Sequence, residues 1–111
     1  MKLREIIEKL QLQVLVDQER LDTEVTGGYT SDLLSDVMAN SKAKNLWITL
    51  QTHENIVAVA KLKDLAGIVI INNRQPDEET FKRAKDEHVT LLASRESAFS
   101  ITGKLYRLIG F

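Results

Sequence analysis

The chain has 111 residues, of which 43% are apolar and 28% charged, a composition that supports one buried core and argues against intrinsic disorder. Fifteen basic residues face sixteen acidic ones, and the net charge of −1 comes with no basic block, which speaks against a nucleic-acid surface. No cysteine is present, which excludes disulfides, thiolate metal sites and cysteine nucleophiles within this chain.

Charges at Lys2, Arg4, Glu5, Glu8 and Lys9 leave no room for a signal-peptide apolar stretch at the start. The same segment carries Leu3, Ile6, Ile7 and Leu10 at helical spacing and predicts an amphipathic helix. The period then changes: Leu12, Val14 and Val16 alternate with Gln11, Gln13 and Asp17, as a strand does. Residues 18–23 are polar and read as a loop. The pair Gly27-Gly28 marks either a turn with special backbone angles or a close approach of the backbone to something. Thr30 or Ser31 then caps a helix over 32–40, with Asp32 in its first turn and Leu33, Leu34, Val37 and Met38 on its apolar face.

A strand is expected over 46–50 and a helix over 54–63. The continuous apolar run 66–71 has the pattern of a buried parallel strand and is far shorter than the roughly 20 residues of a membrane helix. Pro76 and Asp77 open a helix to about Glu87, with Phe81 and Ala84 on its narrow apolar face. A strand over 89–93 and a helix capped by Ser94, with Ala98, Ile101, Leu105 and Leu108 in one stripe, complete the chain. Strand and helix alternate through the second half, which predicts an α/β domain with a mainly parallel sheet and right-handed crossovers. Residues 1–111 are expected to form one cytoplasmic domain.

Ligands of open α/β sheets bind beyond the carboxyl ends of the strands. Small polar residues expected there are Gly27, Gly28, Thr30 and Ser31, then Thr52 and His53 after Gln51, then Asn73 and Arg74 after Asn72, and Ser94. Glycines admit close approach of main-chain N–H groups to an anion, and a helix beginning near Ser31 adds partial positive charge. Such loops also need turn and capping residues when nothing binds, so the pattern has both readings. Asp32, in that first turn, favours a neutral or singly charged group as much as a phosphate. Trp47 reads as core packing, Tyr29 as core closure or a stacking platform, and His88 as a group suited to a helix end. A phosphate-binding GxxxxGK[ST] loop and a GxGxxG fingerprint are both absent. His53 and His88 lack metal-ligand spacing, and Ser31 lacks a base and acid partner. The chain is therefore expected not to be an enzyme, and to need no metal or cofactor.

The helix over 54–63 carries Ile56, Val57, Ala58, Val59, Ala60 and Leu62 around most of its circumference. A helix apolar on nearly all sides must be covered on more than one. This predicts a homodimer in which Ile56, Val57, Val59 and Ala60 form the interface.

The stretches VTGGYTSDLLSDVM and LWITLQTHENIVAVA, within residues 23–100, resemble the DRTGG-domain family in a free-standing version. Thr26, Gly27 and Gly28 match the last three letters of its signature, while Glu24 and Val25 depart from the first two. The family is similar to the N-terminal domain of HPr kinase/phosphorylase and occurs joined to CBS domains and phosphotransacetylases. The resemblance implies a single three-layer α/β/α domain and a regulatory or sensor module. Its expected partner is a small anionic metabolite or nucleotide. The alternative it implies is a protein-interaction or assembly module linked to an iron-only hydrogenase system. Neither nucleic acid nor membrane is an expected partner.

Overall fold

Side chains that alternate along the strands and recur every third or fourth residue on the helices sort this chain into three layers. A computed structural model describes residues 1–16 and 19–110. Asp17 in the first expected strand and Gln18 in the expected loop lie outside the described residues. The elements are α1 (Leu3–Leu10), β1 (Gln13–Val16), β2 (Gly27–Thr30), α2 (Leu34–Asn40), β3 (Asn45–Thr49), α3 (Asn55–Lys63), β4 (Gly67–Ile70), α4 (Glu78–Glu87), β5 (Leu91–Ala93) and α5 (Ala98–Ile109). The sheet order is β1-β5-β4-β3-β2. Strands β2 to β5 are parallel, and β1 joins β5 antiparallel with a register break between Val14 and Val16.

The parallel strands are laid down in one direction across the sheet. The connections between them place α2, α3 and α4 side by side on one face. After β5 the chain passes to the other face, where α5 packs on α1 and across β2 and β3. Period-two alternation serves both faces. Leu46, Ile48, Val69 and Leu92 join the α1/α5 core, whereas Trp47, Ile68, Ile70 and Leu91 join the α2/α3/α4 core. The three-layer architecture expected from the sequence is the architecture observed.

Four local expectations are corrected. Gly27 and Gly28 lie in a strand, not a turn, and neither has positive φ. What Gly28 supplies is room: a Cβ there would stand 2.8 Å from Leu105 Cδ2. The second helix starts at Leu34, with Leu33 as its N-cap and no side-chain cap. Asp32 lies ahead of its first turn because the Asp32 carboxylate is held at the end of β3 by the Thr49 hydroxyl (2.9 Å) and the Leu50 N–H (2.7 Å). The cap of α5 is Ser97, which accepts from the Ser100 N–H; Ser94 instead accepts from the Glu96 N–H in the turn before it.

The fourth correction concerns α3. Ile56, Val57, Val59 and Ala60 are buried within the chain itself. As the middle helix of its layer, α3 is covered by the sheet beneath and by α2 and α4 on either side. That burial accounts for the apolar side chains at these four positions, while Leu62 on the same helix stays exposed, and it removes the reason for placing an interface on these four residues.

Candidate functional site

The eight residues expected to line a ligand crevice fall into two sets. Thr52 and His53 follow β3, Asn73 and Arg74 follow β4, and Ser31 follows β2, all beyond carboxyl ends of strands. The loops there are tied to one another. The Arg74 guanidinium donates to Leu50 O (3.0 Å), and the Gln51 side-chain amide donates to Asp32 O (2.8 Å). Thr52 O accepts from the Asp77 N–H (3.1 Å) and the Thr80 hydroxyl (2.6 Å). His53 Nδ1 accepts from the Asn55 N–H (3.2 Å), and the Asn73 N–H donates to Ser94 O (3.0 Å). These groups knit the carboxyl edge of the sheet together.

Gly27, Gly28 and Thr30 belong to the second set. Their strand is in register with Asn45 to Ile48 of β3, so the glycine pair lies at the amino end of the sheet, away from His53. Here α5 leans over β2, and a groove of about 500 Å³ opens between them. Gly28 is what lets the helix come so close. The groove's apolar side is Ile48, Leu105, Tyr106 and Ile109. Its polar groups come from Thr26, Thr30 and Thr102, the amides of Asn40 and Asn45, and Lys42.

Hydrogen bonds hold these polar side chains in place. The Asn45 amide donates to Thr26 Oγ1 (3.1 Å), which itself donates to Ala43 O (2.8 Å). Asn45 Oδ1 accepts from the Lys42 N–H (2.9 Å), so the loop carrying Lys42 is pinned to the groove's amino end. The Thr30 and Thr102 hydroxyls meet at 2.8 Å across the β2–α5 gap. Tyr29 and Asn40 both donate to Asp36 Oδ1 at 2.8 Å. Hydrogen bonds from Ser31, Tyr29 and Asn40 hold the Asp36 carboxyl below the usual aspartate range, and the Asp36 bond pushes the Tyr29 hydroxyl up. Lys42 is the only charged side chain among the described residues that line the groove, and its ammonium has no ion-pair partner among the described residues. Among the described residues the groove therefore offers an apolar wall, hydroxyl and amide groups, and the Lys42 ammonium.

The sequence pattern points to Gly27, Gly28 and Thr30 of this groove but does not point to Thr26, Lys42, Asn45, Thr102 and Tyr106 as its lining. Helical spacing puts Thr102, Tyr106 and Ile109 on one side of α5, a signal present in the sequence. What that side faces depends on strand order. A second, more polar cavity of about 560 Å³ lies at the carboxyl end of β5, lined by Asn73, Arg95, Glu96 and Lys104. Lys104 pairs with Glu96 there at 2.7 Å, which holds the Glu96 carboxyl below its usual range. Among the described residues no group of three or more His, Asp or Glu side chains is placed to hold a metal ion, and no helix is long and apolar enough to cross a membrane.

No protein-family model matches the chain, and no curated protein sequence matches it. Among solved structures it is similar to the CBS and DRTGG domains of the regulatory region of Clostridium perfringens pyrophosphatase, complexed with the activator diadenosine tetraphosphate. The TM-score is 0.74 at 13% identity, over 95% of this chain and 45% of that one. The shared property is the fold, and the chain spans less than half the length of that structure.

Proposed function

We propose that this chain is a non-catalytic regulatory module that senses a small anionic metabolite of the nucleotide class in the groove between β2 and α5. The observation that carries the reading is the composition of the groove: among the described residues its lining holds one lysine without an ion-pair partner and no carboxylate, beside fixed hydroxyls and amides and an apolar wall. A planar, weakly polar group suits the Tyr106–Ile109 wall. An anionic group suits Lys42, through a charge-assisted hydrogen bond. The likeness to the regulatory region of a pyrophosphatase that was complexed with an activating dinucleotide supports the same class of ligand. Of the residues expected from sequence, the proposed site keeps Gly27, Gly28 and Thr30. It leaves out Ser31, Thr52, His53, Asn73 and Arg74, whose loops are bound to one another at the sheet's carboxyl edge.

The test is a titration of the labelled chain with AMP, ATP, diadenosine tetraphosphate and inorganic phosphate, followed by amide NMR. Shifts centred on Gly28, Lys42 and Thr102 are expected with a nucleotide. Lys42→Ala weakens binding by about tenfold or more, the loss of one charge-assisted hydrogen bond. Shifts centred on His53 and Arg74, or none across the panel, would overturn the assignment of the site.

A further inference from the structure

The two edges of the sheet are treated differently. At β1 the register breaks between Val14 and Val16, a bulge of the kind that protects an edge from pairing. At β2 the ladder with β3 runs unbroken from Gly27 to Thr30, and no charge or proline guards the strand. The Ser31 N–H donates to Ile48 O (3.2 Å), so the main chain of Ser31 faces β3. By strand alternation the N–H and C=O groups of Gly28 and Thr30 face the other way, where the sheet ends.

Exposed apolar surface gathers on the helices beside this edge. Among the described residues the exposed large apolar side chains are Leu33, Met38, Leu62, Phe99 and Tyr106. Leu62 alone of these lies on α3. Leu33 and Met38 belong to α2 and its cap, which the Tyr29–Asp36 hydrogen bond ties to β2, and Phe99 and Tyr106 belong to α5, which packs on β2 from the other face. Phe99 is 92% exposed, an extreme value for a phenylalanine with no partner surface.

We infer that the β2 edge pairs antiparallel with the β2 edge of a second copy of this chain, continuing the five-stranded sheet across a two-fold axis. The distribution of charge selects this occupant and this direction. Lys42 sits at the amino end of β2 through Asn45, while Asp32 and Asp36 sit at its carboxyl end. Antiparallel pairing sets the lysine of each copy toward the aspartates of the other. Parallel pairing sets lysine beside lysine. An uncharged strand opposed to itself adds no repulsion, and the two-fold brings α2 beside α2 and α5 beside α5, covering both apolar patches. The pairing does not rest on the ligand reading. It adds regulation to it, because the groove and the edge share Gly27 to Thr30. A bound nucleotide and a paired strand therefore compete for the same residues.

Sedimentation velocity of the full chain over a concentration series, with amide hydrogen exchange, tests the inference. A dimer is expected, with the Gly28 and Thr30 amides protected from exchange on dimerisation. Thr30→Pro removes the outward donor and leaves the ladder to β3 intact. Met38→Lys charges the exposed side of α2 without touching a strand. Each weakens dimerisation by about tenfold or more. A monomer at every concentration overturns the pairing. So does a dimer that folded Met38→Lys leaves unchanged while Gly28 and Thr30 exchange freely. Diadenosine tetraphosphate is expected to shift the dimer toward monomer, and a nucleotide that binds while the dimer persists overturns the competition. A nucleotide that does not bind removes the ligand reading alone, since the unliganded chain already tests the pairing.

Discussion

Leu105 occupies the space a side chain on residue 28 would need: a Cβ at Gly28 would stand 2.8 Å from Leu105 Cδ2. Because Leu105 is 97% buried in the α1/α5 core, it has little freedom to move aside. Gly28→Ala is expected to cost about 1–2 kcal/mol, an overpacking penalty partly offset by reduced freedom of the unfolded chain. In a Leu105→Ala background the same substitution should cost little. Denaturant melts of the four chains of this cycle measure the coupling.

Trp47 is the chain's single tryptophan and is fully buried. Its indole N–H donates to Ser31 O at 2.8 Å, joining β3 to the turn after β2. Trp47→Phe leaves that carbonyl without its donor and a gap beside it, and is expected to cost about 2–4 kcal/mol. Circular dichroism reads the variant, and native tryptophan fluorescence reads the parent chain.

Val57 packs against the α2/α3/α4 core with no exposed surface. Val57→Glu should therefore unfold the chain instead of releasing a folded monomer, because it buries a carboxylate with no partner. A folded, monomeric Val57→Glu chain would show that α3 is an interface after all.

His88 ends α4 in the left-handed conformation, at φ 56°. A side chain there carries strain that glycine avoids. His88→Gly is expected to stabilise the chain by about 0.5–1 kcal/mol, read as a rise in melting temperature.

Acid should loosen one junction of the fold. Asp64, at the left-handed end of α3, is held below the usual aspartate range by Lys44 first, with Arg20 contributing. A carboxyl lowered on folding stabilises the native state above its unfolded value and loses that contribution as pH falls through its folded one. The loss is therefore confined to pH below about 4, and Asp64→Asn should flatten it. Melting temperatures from pH 7 to pH 2 for the two chains decide the point.

Much of the architecture was legible in the linear pattern. The apolar run ending at Ile71, the 3.6-residue stripe of Ile101 and Leu105, and the strand–helix alternation each report local periodicity. Periodicity is a property of neighbours in the chain, so it survives without knowledge of the fold. The positions that misled were those whose meaning depends on distant residues. Gly28 resembles a turn former until Leu105 is placed over it. Asp32 resembles a helix-start residue until Thr49 and Leu50 reach its carboxylate. Val57 resembles an interface residue until α2 and α4 close around α3. Strand order decided all three. It placed β2 at an open edge with α5 above it, gathered Lys42, Asn45 and Thr102 around a groove, and separated the glycines from His53. Sequence patterning determines which residues are inside and in which kind of element, because burial and backbone geometry repeat along the chain. Which polar residues meet is decided only by tertiary packing, since the contacts joining Thr30 to Thr102 or Trp47 to Ser31 span many residues that carry no record of them.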